Sequence, residues 1–565
     1  MLKTQKKTHS LRSPDTVMKL DRLGSMHQCR LSFMRTLLRR MKAENWTFDR
    51  PVFDIDEKGV GVAVYTATGP ERPYSLICFG HDLPPEHRSD RVIAHAWDST
   101  FTLFDGVPNQ DDIDRLSQNI PKQEAGRVSS SEISVSRANR SVRLFDHVVE
   151  SLAAGHQPDP EKCEAVGYLM RTTAVYGSGK LGAADRELIA DRPEFAGPFQ
   201  AEMLSVYLTR AYILDLVEHM AHARAPQTAV RIEPERRRRF GVGNSTGLGL
   251  APFVMNHPAL LNNWIAARET ALARVCALAQ ATDSERAAFI TMIARARVNT
   301  NDWHSEHEVQ IEKLKNLTAD LELLNTHITT GILEGQQPWL ELYQWAEQTL
   351  STEGQEQLVS LMLEPYGDLV DDLAEQMNAD ESAAFPINGA MSLDQLRGIL
   401  EKEYAWALEI DWQVAENQAR VWYVSAEKLE PRIGERFEEP IAPYEQPLAP
   451  GRDAKLLHET LKEWRGGETV ADVLLRHPEH RHIVRRAQLT ALFPYAEIRD
   501  NTISKKLLPI DMLRFKLAFF GATHFDPRSD RWVRINMFRN APFPHELSGC
   551  IDDDWAYPPA PENQP

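Results

Sequence analysis

Residues Arg236–Glu269 read RRRRFGVGNSTGLGLAPFVMNHPALLNNWIAARE. Four arginines run into a glycine-rich loop carrying Asn244, Ser245 and Thr246. A short apolar piece then leads through Asn256-His257-Pro258 into a helix carrying Asn262 and Asn263. Read as a polar loop between helices, the stretch makes the middle of the chain helical. Flexible backbone, exposed N–H groups, small hydroxyls and nearby positive charge suit an anion or a developing oxyanion. Gly243–Gly247 also matches GxSxG, the nucleophile elbow of α/β-hydrolases. Its context reads differently, because Arg236–Phe240 is no apolar strand and Pro252 interrupts the helix an elbow requires. His257 falls at the edge of a helix, where the dipole favours a neutral imidazole, and it also reads as a simple cap before Pro258.

Upstream, Gly177-Ser178-Gly179-Lys180-Leu181-Gly182 spells GxGxxG. A dinucleotide site needs a strand–turn–helix–strand unit with an acid near the end of the second strand. Here helix, turn and helix are expected downstream, with no second strand. Tyr176 and Lys180 stand four apart, so the tyrosine is a candidate proton donor and the lysine a candidate anion clamp or base. Arg171 is a second clamp, and Ser178 lies on the same turn. The alternative reading is a helix-ending turn with Lys180 in solvent.

The remaining chain divides by texture. Residues 1–27 are basic and read as a disordered leader. Residues 28–108 hold an amphipathic helix and a meander over Trp46–Asp56, Val60–Thr68 and Pro73–Phe79, with a fourth strand at Phe101–Phe104. Residues 109–140 are polar and read as a linker. A helical core over 141–439 carries the expected site, a second helical unit with one strand covers 440–540, and 541–565 is a Pro-rich tail. The expected fold is mainly α, α+β overall, with a small N-terminal antiparallel unit and a minor C-terminal β element.

A net charge of −17 argues against nucleic acid or an anionic membrane as partner. Five scattered cysteines form no CxxC pair, and no apolar run approaches the roughly 18 residues of a membrane helix, so a reducing cytoplasm is expected. His304, Glu306 and His307 lack a zincin order and read as a helix start with Asp302 as N-cap, whereas His477, His480 and His482, with arginines interleaved, read as a solvated or partner-facing turn; no metal is expected. No cofactor is expected, flavin and nicotinamide nucleotides not being excluded, and a homo-oligomer is compatible.

These residues point to an enzyme acting on a small anionic metabolite, a carboxylate, by acid–base chemistry. Lys180, Tyr176 and His257 are the catalytic candidates. Arg171, Ser178, Asn244, Ser245, Thr246, Asn256 and Asn262 are the binding candidates. A helical scaffold, whose polar clusters are caps and interhelical ties, is the competing class; a serine hydrolase or a flavin or nucleotide oxidoreductase ranks third.

Overall fold

The computed structural model describes residues 10–82, 97–121, 129–174, 184–245, 257–306, 308–377, 385–414, 450–464, 466–499, 510–526, 534–549 and 553–557. Its centre is a nine-stranded sheet in the order β1-β2-β3-β4-β5-β6-β7-β9-β8. The strands are β1 Thr47–Ile55, β2 Gly61–Thr68, β3 Pro73–Gly80, β4 Ser99–Asp105, β5 Glu132–Arg140, β6 Tyr168–Thr172, β7 Gly241–Ser245, β8 His524–Asp526 and β9 Arg534–Met537. The first six form an antiparallel meander. β6 and β7 run parallel, and β9 returns antiparallel to β7.

The start of the meander follows from turn chemistry. Asp56 Oδ1 accepts from the N–H groups of Lys58 at 2.9 Å and Val60 at 2.8 Å, and Gly59 takes φ 84°. Such an Asx turn with a left-handed glycine reverses the chain and fixes the register of β1 against β2.

The expectation of a mainly helical fold with only a small N-terminal sheet is corrected. One mixed sheet collects strands from residue 47 to residue 537, and the fold is α+β. Three local features hid the central strands. β5, EISVSRANR, looks like a polar linker, yet Ser134, Ser136 and Asn139 are buried within the sheet. Within the region expected to be helical, the helix Pro160–Val166 stops because Gly167 takes φ 72° as its left-handed cap, and β6 begins at the next residue. The glycines of β7 serve close packing. A Cβ on Gly241 would stand 2.6 Å from the Met537 carbonyl, and one on Gly243 would stand 2.8 Å from the Tyr168 ring.

Six helices are needed to place the site: α1 Phe33–Ala43, α2 Gln110–Asn119, α3 Gln200–Arg224, α4 Pro258–Cys276, α5 Thr352–Met362 and α6 Pro450–Leu461. α3 links β6 to β7, so the pair is a parallel crossover, the unit absent from the sequence reading. It lies across one sheet face and is buried along most of its length, with Tyr212 edge-on to Tyr65 and Phe101. Arg210, inside this layer, donates to the carbonyls of Phe240 (2.7 Å), Ala541 (2.8 Å) and Arg238 (2.8 Å). One guanidinium thus ties the entry to β7 to the exit from β9. The opposite face packs Val64, Ile77, Phe79 and Val135 against Ile113 and Leu116 of α2.

The helical half shares the main core. Trp264 of α4 packs against Phe33, Phe199 and Phe515. α5 is buried on every side although it carries Glu353, Gln355, Glu356 and Gln357. A second core joins Leu393–Ala407 to Ala454–Ala487. Segments near both ends of the described chain pack inward, although Ser10 and Leu11 themselves are exposed. Arg12, expected in a leader, donates to Glu269 and Glu356, and Tyr557, expected in a tail, stacks on His27. Among the described residues no helix is long and apolar enough to cross a membrane.

Candidate functional site

The four arginines that open the central stretch do not form an anion site. Arg236 pairs with Glu233, Arg237 with Asp215 and Glu218, Arg238 with Glu546, and Arg239 with Glu164. Each is answered by a carboxylate, and the run fastens the approach to β7.

The polar loop placed by sequence after these arginines begins as β7. Asn244 is 2% exposed; its Nδ2 donates to the Thr172 carbonyl at 3.1 Å, and its Oδ1 accepts from Lys516 Nζ. The N–H end of the amide is therefore fixed across the parallel pair to β6, and its oxygen is held by Lys516. Lys516 is 1% exposed and opens a π-helical turn, Lys516–Phe520, which ends at Gly521 with φ 99°. π-turns recur at functional sites because they displace one residue from the regular helical face. Burial among Phe520 and its aromatic neighbours pushes the Lys516 ammonium down to about 7, which makes it a proton-transfer group near neutrality.

Strand alternation sends the expected clamp to the other face. A Cβ on Gly243 would meet the Tyr168 ring and, at 3.1 Å, Cγ of Arg171. Arg171 thus shares the Gly243 face, whereas Asn244 and Lys516 share the α3 face. Arg534, opposite Ser245 in register, donates from Nη1 to Tyr168 OH at 3.2 Å. Arg171 and Arg534 are both buried. The carboxyl end of the β6–β7 pair therefore carries a lysine on one face and two arginines on the other, within a strongly acidic chain. In α/β sheets ligands bind in the crevice outside the carboxyl ends of parallel strands.

Ser245 is the last residue of β7, so its backbone stands at that carboxyl end. His257 occupies the N-cap position of α4 with no capping bond from its side chain, and Pro258 is the first helical residue. Asn262 faces elsewhere: its Oδ1 accepts from Tyr495 N at 3.0 Å, and its Nδ2 donates to Asn263 at 3.1 Å. Tyr176, Ser178, Lys180, Thr246 and Asn256 lie outside the described residues. Sequence reasoning missed Lys516, Tyr168 and Arg534. The signal for the first was a pair of cations, Arg514 and Lys516, set inside the apolar run Met512–Phe520.

The GxGxxG segment does follow a strand, and a parallel strand follows the crossover. Yet residues 241–256 contain no acid for a ribose hydroxyl, and α3 starts 18 residues after Gly182. The dinucleotide signature remains incomplete.

A surface cleft of about 1360 Å³ lies beside the edge strand β1, lined by Trp46, Arg50, Tyr65, Asp215, Arg237 and Phe543 among others. Its floor is already paired. Asp215 accepts from Arg50, Tyr65 OH and Arg237, each at 2.8 Å, and Glu218 meets Arg237 at 2.8 Å. β1 itself carries Pro51 at a bulge and exposed Asp49 and Arg50, devices that discourage addition of another strand.

No protein-family model, no curated protein and no solved structure matches the chain.

Proposed function

We propose that the chain is an enzyme that binds a small carboxylate at the carboxyl ends of β6 and β7 and moves a proton there with the Lys516 amine. The observation that carries this reading is the Lys516–Asn244 pair, an amine poised near neutrality and oriented by an amide locked to β6. Arg171 and Arg534 supply the attraction for the carboxylate, as charge-assisted donors do. The neutral amine takes a proton from a carbon made acidic by the neighbouring carbonyl, becoming an ammonium that Asn244 Oδ1 continues to accept from. The electron pair left behind is held as the enolate on that carbonyl oxygen, and return of the proton to a different carbon or to the opposite face completes an isomerase-type step. His257 is the candidate second acid–base group, since its helix packs through Trp264 against Phe515, the neighbour of Lys516.

The test is a melting-temperature screen of the full chain against small mono- and dicarboxylates, because a ligand of the native state raises the transition. At least one carboxylate raises it in the wild type, and Arg171→Gln with Arg534→Gln removes the rise. Absence of any rise across the set sinks the reading. A serine nucleophile is the second reading, favoured by the position of Ser245 at a strand end in GxSxG. Labelling of Ser245 by a fluorophosphonate would move the reaction class to hydrolysis.

A further inference from the structure

The second helical core carries a cluster that the carboxylate site does not use. α6 is followed by a helix at Val470–Arg476, a short turn at Pro478–His480 and a helix at Arg481–Leu492. His477, Glu479 and His480 on that turn bring one potential ligand atom each within 4.8 Å of the others. His477 Nδ1 already lies 3.1 Å from Glu479 Oε1. His480, only 8% exposed, has Nε2 at 2.9 Å from Thr460 Oγ1 on α6, which leaves Nδ1 for a ligand role. A metal-binding imidazole is commonly oriented in this way by a partner on its other nitrogen.

A second observation comes from a different element. Asp453 of α6 and His482 face each other with Oδ2 and Nε2 3.5 Å apart. Both atoms are buried and neither has a hydrogen-bond partner. The Asp453 side chain is 10% exposed. Asp453 lies on the helix that also carries Thr460, and His482 follows His480 by two residues. A buried carboxylate oxygen and imidazole nitrogen that meet only as a 3.5 Å ion pair, with no hydrogen bond to either, leave donor capacity unused.

We infer that this turn binds one divalent transition-metal ion through His477, Glu479 and His480, with Asp453 or His482 as the fourth donor. This departs from the solvated turn expected from sequence. Imidazole with carboxylate selects Zn²⁺, Ni²⁺ or Cu²⁺ over Mg²⁺ or Ca²⁺. Ligand atoms 2.0–2.2 Å from zinc must lie closer together than those found, so the ion draws the turn inward by about an ångström. Through Thr460 and Asp453 it would fasten α6 to the two following helices.

Chelator-treated, tag-free protein titrated calorimetrically with Zn²⁺ tests the site. One equivalent binds, and Co²⁺ in its place gives the visible absorption of a four-coordinate nitrogen–oxygen site. His477→Gln with Glu479→Gln changes one half-buried and one exposed side chain and leaves the metal-free protein folded with its cooperative melt, yet weakens Zn²⁺ binding about tenfold or more. Thr460→Val, which only positions His480, weakens it less and shifts the Co²⁺ spectrum. Tightest binding to Mg²⁺, no stoichiometric Zn²⁺ binding, or binding unchanged in the double variant overturns the inference.

Discussion

Lys516→Met stabilises the protein by on the order of 4 kcal/mol at pH 6, and the gain fades as pH rises towards 10.5. Burial sets both the sign and the window. Below about pH 7 the amine is protonated in the folded and unfolded chain alike, so the folded state carries the full cost of a buried ammonium. Between about 7 and the ordinary 10.5 the unfolded lysine keeps a proton that the folded one has released, and stability climbs with pH. Above 10.5 both forms are neutral and the penalty is gone. Methionine is close in length and suits the ring of Phe520. Urea melts at pH 6, 8 and 10 measure the effect. A buried residue that weakens the fold yet meets a strand end through Asn244 behaves as a functional group does. A loss of stability in Lys516→Met at every pH would instead make the Lys516–Asn244 bond a structural tie.

The opposite outcome is expected of Glu356→Ala, which destabilises by about 3–5 kcal/mol. Glu356 is fully buried on α5, where Arg12 Nη1 and Arg268 Nη1 each donate at 2.8 Å and Arg22 Nη1 at 3.1 Å. Burial pushes its carboxyl up, but the Arg12 and Arg268 charges outweigh that and hold it at about 2. Removing this acid leaves Arg12 paired to Glu269 in a cluster that keeps all three cations. The contribution is present above the ordinary 4.5 and is lost as pH falls through about 2, so wild type and variant converge in strong acid. A loss below about 1 kcal/mol in urea melts at pH 7 would show that water or relaxation serves the arginines equally well.

The meander was legible because Asp56 and Gly59 spell their turn and Val60–Tyr65 alternates, and both are local properties. β5, β6 and β7 were not. β5 is mostly polar, β7 is rich in glycine and β6 is five residues long directly after a helix, so their pairing rests on contacts between segments distant in the chain. Asn244 and Arg171 were singled out by chemistry alone, and the register of β6 against β7 brings them to one strand end. Their assignment to opposite faces needed that register. Lys516, more than 270 positions from Asn244, had no local pattern to announce its partner. Asn262 shows the converse, since a polar helix residue that suggested a ligand holds the backbone of Tyr495.

One route to the catalytic claim bypasses the identity of the natural substrate. Small carboxylates with an acidic C–H, incubated in deuterated water at pH 7.5 with the full chain, are followed by proton NMR for loss of that signal. Wild-type protein is predicted to exchange the proton of at least one of them catalytically, and Lys516→Met, folded and more stable, to leave every signal intact. Exchange that persists undiminished in Lys516→Met, or none in a wild type that binds the carboxylate, would contradict the account.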